Sequence, residues 1–113
     1  MTNFQSIVPN QLAQAAVGVT KSTIYTVPAS TRTIVKDIDV ANNTAASINI
    51  TVYLVNSGGT AGDGSNTLLP ALTVPAYSTL QWSGSQVLAA AGTIVAVASA
   101  TGCSITVSGG EGT

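Results

Sequence analysis

The chain has 113 residues, with three Lys or Arg, four Asp or Glu and no His, for a formal net charge of −1. Charged residues make up 6% and aromatics 4%, where an average globular domain carries about 25% charged residues. Without His there is no imidazole base, no Ser-His-Asp or Cys-His arrangement and no imidazole metal ligand. A single Cys excludes both an internal disulfide and a thiolate zinc site. Three basic residues are too few for the positive patch that neutralising phosphates requires. The expectation is one domain around one core, with no catalytic residues, no cofactor and no nucleic-acid partner.

Residues 1–20 contain no Lys or Arg, and Pro9 interrupts them before an apolar run develops, which does not fit a secretory signal. Met1 to Gln14 includes Phe4, Ile7, Val8 and Leu12 but shows no alternation. Such a segment gains little by folding back on its own domain and more by lying on a neighbouring subunit. These four residues are therefore the expected partner-binding anchors. Residues 1–20 read as an N-terminal arm and first edge strand, beginning at Ala15, and residues 21–113 as the main domain.

From Ser22 onward the period is two. Ile48, Ile50, Val52 and Leu54 share one face of a strand, and Cys103, Ile105 and Val107 share one face of another, which predicts a buried thiol at Cys103. Thr, Val and Ile are frequent, as strands prefer. Further strands are predicted at Ala15–Val19, Ser22–Val27, Thr33–Ala41, Thr67–Val74, Ser78–Trp82, Gln86–Leu88 and Thr93–Ser99, joined by Gly, Pro, Asn and Ser turns. Strands at spacings of about eight to twelve residues predict an all-β chain forming a single β-sandwich, jelly-roll-like, with an extended N-terminal arm. Thr26-Val27-Pro28-Ala29 recurs as Thr73-Val74-Pro75-Ala76. In each, Pro ends strand pairing, so the two read as equivalent corners. The apolar stretch from Val87 to Cys103 is Ala-rich and interrupted by Gly92 and Gly102, so it reads as strand and turn rather than a membrane span.

Candidate chemistry is sparse. Asp37 and Asp39 on one strand share a face about 7 Å apart with Lys36 opposite, which suits a solvated face better than a hydrolytic pair. Asp63, Ser65 and Asn66 lie in the Gly-rich run Asn56–Asn66, a long hairpin tip with no large apolar anchor. That loop lacks the acid spacing of a calcium site and the Gly-Lys-Ser/Thr of a phosphate loop. Asn42-Asn43-Thr44 and Asn49-Ile50-Thr51 match the glycosylation pattern by chance. Tyr77 and Trp82 flank one short strand and are the one pair of aromatics placed to stack on a sugar, although packing roles suit them better.

Several stretches resemble short bacteriophage virion proteins: Ile24-Tyr25-Thr26-Val27-Pro28-Ala29, the strand Ile34 to Asn42, Ile50-Thr51-Val52-Tyr53-Leu54-Val55, Leu69-Pro70 and Leu80. Val87-Leu88, Ala91-Gly92-Thr93-Ile94 and the closing Val107-Ser108-Gly109-Gly110-Glu111 continue the likeness. It covers about Ser22 to Gly112 and leaves the arm outside. The resemblance implies a non-enzymatic β-sandwich structural protein of the virion, made in the host cytoplasm. Its partners would be the major capsid protein or other virion proteins and further copies of itself, with no membrane and no catalytic residues carried over. Capsid decoration, in which the chain bridges major capsid subunits as a cement protein, is the leading expectation. A tail, fibre or head–tail connector position is the alternative, and a carbohydrate-binding adhesin using Tyr77 and Trp82 a further one.

Overall fold

Alternating β-branched residues and regularly placed turn residues produce eight strands, and the computed structural model describes residues 7–112. In chain order they are β1 (Ile7–Val17), β2 (Ser22–Thr26), β3 (Arg32–Asn42), β4 (Ile48–Val55), β5 (Thr67–Val74), β6 (Thr79–Leu88), β7 (Thr93–Ala98) and β8 (Cys103–Gly112). They form two four-stranded antiparallel sheets, β1-β8-β3-β6 and β2-β7-β4-β5. Every connection except the β4–β5 hairpin passes from one sheet to the other, which is the strand order of an eight-stranded jelly roll. Between the sheets lie fully buried Val35, Ile38, Val40, Ile50, Val52, Val74, Ile94, Ile105 and Val107. Cys103 is among them at 2% exposure, and burial pushes its thiol pKa up.

The repeated Thr-Val-Pro-Ala segments are congruent corners. Val27 and Val74 are both buried, and each corner carries the chain from the second sheet to the first. The residue two places after each Pro has a left-handed backbone, with φ 57° at Ser30 and 52° at Tyr77. Beside the second corner lies Asn42, which is 2% exposed. Its Nδ2 donates to the Ala46 carbonyl at 2.7 Å and the Val74 carbonyl at 3.0 Å. Its Oδ1 accepts from Thr44 N at 2.9 Å and Thr44 Oγ1 at 2.7 Å. One amide thus satisfies the β3–β4 turn and the end of β5 together.

Three local expectations are corrected. The segment Ile7–Gln14 is not a free arm: it is most of β1, paired along its length with β8. Pro9 is tolerated because an edge strand does not need every N–H, and a register shift between Gln11 and Ala13 reverses which residues face inward, hiding the alternation. The two short strands expected around Ser83 are one strand, β6, with a register shift where Lys36 of β3 lies. The same irregularity turns Lys36 to the face that carries Asp37, where its Nζ donates to Ser85 Oγ at 2.8 Å.

The Gly-rich loop 56–66 does find an anchor, supplied by the sheet beneath it. Tyr53, Val55 and Val95 form a small apolar cluster on the outer face of the second sheet, and Ala61 packs against them. Lys21 Nζ donates to the Ala61 carbonyl at 3.1 Å and sits 5.3 Å from the centre of the Tyr53 ring, a cation–π distance. Inside the loop, Asn66 accepts from Gly62 N at 3.0 Å and donates to the Thr60 carbonyl at 2.8 Å.

Replacing Asn42 with Ala leaves the Val74 and Ala46 carbonyls without their partner. The expected loss, read by urea unfolding at unchanged m-value, is about 2–3 kcal/mol.

Candidate interaction surface

The register of the first sheet places its outward residues in rows across all four strands. Nearest the start of β1, Pro9 pairs with Gly110, Gly110 with Ile34, and Ile34 with Val87. Because Gly110 has no side chain, the row dips between Pro9 and Ile34, leaving an open depression of about 400 Å³. Pro9, Ile34 and Val87 wall it, Gly109 and Gly110 floor it, and the Lys36–Ser85 hydrogen bond closes one rim. Val87 is 57% exposed. Gly109 is required by close approach: a Cβ there would lie 1.9 Å from the Ile34 carbonyl oxygen.

The next outward rows are polar. Asp37 pairs with Ser83 and Ser108, and Asp39 with Gln81 and Thr106. Gln81 Nε2 donates to Asp37 Oδ1 at 3.3 Å. Partial burial, the charge of Asp37 and a hydrogen bond with Asp37 all raise the Asp39 pKa, in that order of size. Asp39 therefore lies close enough to Asp37 to feel its charge. Among the described residues, no three His, Cys, Asp or Glu side chains gather as a metal site.

A part-buried polar cluster where β2 of the second sheet meets the first sheet gave no signal in the sequence. The Tyr25 hydroxyl donates to Glu111 Oε2 and lies 2.8 Å from Thr33 Oγ1, while Asn10 Nδ2 donates to Glu111 Oε1 at 3.3 Å. Tyr25 comes from β2, so this hydrogen bond ties the second sheet to β3 and β8 of the first. Desolvation and the Glu111 carboxylate push the Tyr25 pKa up to about 12.

The remaining predicted residues are scattered. Phe4 lies outside the described residues, as does the side chain of Ile7. Val8 stands 56% exposed, whereas Leu12 is partly buried and packs on the domain's own core. Trp82 pairs with Ile38 on the inward row and packs against the core, while Tyr77 sits in the corner at 73% exposure. Asp63 closes its own turn, accepting from Ser65 N at 2.9 Å and Ser65 Oγ at 2.6 Å, and these bonds lower its pKa. The residues of the apolar row left a readable signal: Ile34-Val35 and Val87-Leu88 are adjacent apolar pairs on strands, so one member of each must point outward.

No family model and no curated protein matches the chain. Among solved structures, a protein of Bacillus endospore appendages, described as a novel family of disulfide-linked pili, is similar with TM-score 0.58 and 17% identity. The match covers 96% of this chain and 88% of that one. A chain of infectious bursal disease virus, Gx strain, is similar with TM-score 0.56 and 12% identity over 94% of this chain. Another, from the T13 particle of that virus, has TM-score 0.50 and 8% identity over 94% of this chain. This chain spans only 31% and 30% of the length of those two viral chains. At such identities the likeness establishes the fold. No helix among the described residues is long and apolar enough to cross a membrane.

Two titrations follow. The Asp39 pKa is raised in the folded state, so ionising it costs stability once the pH passes the ordinary Asp range, near pH 4. Asp39→Asn is expected to raise the melting temperature at pH 7 and to lose that advantage below about pH 4. Tyr25 carries the same sign at the alkaline end: its contribution is intact below about pH 10 and is lost as the pH rises toward its folded value of about 12. Tyr25→Phe should cost about 1–2 kcal/mol at pH 7 and flatten that alkaline decline in a pH series of thermal melts.

Proposed function

We propose that this chain is a non-enzymatic structural subunit of a protein assembly, and specifically a bacteriophage virion protein that decorates the capsid by bridging major capsid subunits. The observation that carries the reading is the apolar row Pro9–Ile34–Val87 on the open outer face of the first sheet. A chain with only 6% charged residues offers little long-range repulsion to a neighbour, and an exposed apolar row supplies a driving force for contact. The likeness to spore-appendage and capsid chains supports the same direction, as does the strand-and-turn resemblance to short phage virion proteins.

The mechanism is adhesive. A sandwich closed at its corners presents the row as a rigid surface, so docking sacrifices little conformational entropy. Each contact buries a modest apolar area, and many copies repeated over a lattice sum those contacts. Cys103 is buried in the folded chain, so copies are joined by packing and hydrogen bonds rather than through that thiol.

Val87→Lys tests the reading, because Val87 is exposed and its replacement leaves the core intact. The variant should keep the wild-type melting temperature yet bind capsids stripped of this chain at least about tenfold more weakly, the equivalent of one lost aliphatic contact. Wild-type binding by the folded variant would contradict the proposal.

A further inference from the structure

Each sheet has two edge strands, and three of the four are blocked against pairing with another chain. β1 carries Pro9 and the register shift at Gln11/Ala13. β2 has five residues and a shift between Thr23 and Tyr25. β5 contains Pro70, a left-handed Ala71 with φ 45° and two register shifts against β4. Proline, bulges and shortness are the usual ways in which proteins protect an edge. β6 has none of these along Thr79–Ser83, where the register against β3 runs unbroken from Ala41 to Asp37. The whole ten-residue strand contains no Pro and no charged side chain.

The side chains of β6 show where a further strand belongs. The inward rows of the first sheet run Ala15–Ile105–Val40–Leu80 and Ala13–Val107–Ile38–Trp82. Val40, Ile105, Ile38 and Val107 are fully buried, but Leu80 and Trp82 are only half-buried, because the rows stop at the β6 edge. The Trp82 ring extends along that edge beside Gly84, where a Cβ would lie 2.9 Å from it.

We infer that the Thr79–Ser83 edge of β6 pairs with the same edge of a second copy, antiparallel about a two-fold axis, joining two first sheets into one continuous sheet of eight strands. A two-fold contact sets like residues near one another, so a charged residue would face its own copy. The absence of charge from β6 removes that penalty, and Thr79, Gln81 and Ser83 are outward residues that a sheet accepts on either side of the axis. The partner strand would extend both inward rows and cover Leu80 and Trp82. This inference gives the assembly reading a specific contact, and rests on it only in supposing that the chain associates with itself.

Disulfide trapping tests it in the full chain. Cys103 is buried, so a cysteine introduced singly at Thr79, Gln81, Ser83 or Ser85 is the accessible thiol. An antiparallel β6 pair brings the position nearest the two-fold axis within about 5 Å of its copy, close enough to bridge, while distant positions are held apart. One or two of these variants should form a covalent dimer rapidly under mild oxidation, with Gln14→Cys on β1 remaining monomeric. Hydrogen exchange should show alternate amides from Thr79 to Ser83 protected in the wild-type dimer and exposed on dilution. Absence of crosslinking at all four positions, or dimerisation through Gln14→Cys instead, would overturn the inference. A β6 dimer that fails to bind capsids would leave it standing and count against the capsid reading alone.

Discussion

The buried amide of Asn42 is the tie on which one end of the sandwich depends. Its side chain holds the Thr44 turn on one side and the last carbonyl of β5 on the other. Backbone bonds from Asn42 N to the Ser78 carbonyl and from Asn43 N to the Gly102 carbonyl draw in the β5–β6 and β7–β8 turns. A jelly roll that changes sheet at nearly every connection has many backbone groups at its corners that no ladder satisfies. With four Asp or Glu and three Lys or Arg in the whole chain, those groups are met by neutral side chains and by other turns rather than by ion pairs. At the opposite side, Tyr25, Thr33 and Glu111 link the two sheets in the same economical way.

This mode of construction leaves the outer faces free of structural duty. The outer face of the second sheet is partly taken up by the loop 56–66, which covers Tyr53, Val55 and Val95. The outer face of the first sheet stays open and is graded, from the apolar row at Pro9, Ile34 and Val87 to the carboxyl pair at Asp37 and Asp39. The two acids sit among Ser83, Ser108, Gln81 and Thr106, and the Asp37 carboxylate accepts from Gln81. The open apolar row of this face is the feature on which the proposed contact rests. An adhesive subunit repeated many times needs a stiff body and a modest apolar face more than it needs a strong individual site.

The architecture was legible in the sequence because its determinants are local. Alternation in Ile48–Val55 and Cys103–Val107 defined strands and their inward faces, and the repeated Thr-Val-Pro-Ala marked two corners that proved congruent to the backbone conformation of the residue after Ala. Alternation failed where a bulge reverses it. The shift at Gln11/Ala13 made β1 look like an arm, and the shift opposite Lys36 made β6 look like two strands. The apolar row was harder still, because its members are far apart in sequence and meet only through register: Pro9, Ile34, Val87 and Gly110 come from four strands. The Asn42 network was hidden for the same reason, as its Val74 partner lies 32 residues away.

Whether this chain is a repeated subunit of a virion surface, as proposed, is decided by immunogold electron microscopy of intact source virions, using an antibody against the folded domain. A decoration protein gives label distributed over the whole capsid in many copies per particle. Particles that remain unlabelled, while an antibody to the major capsid protein labels them, would contradict it.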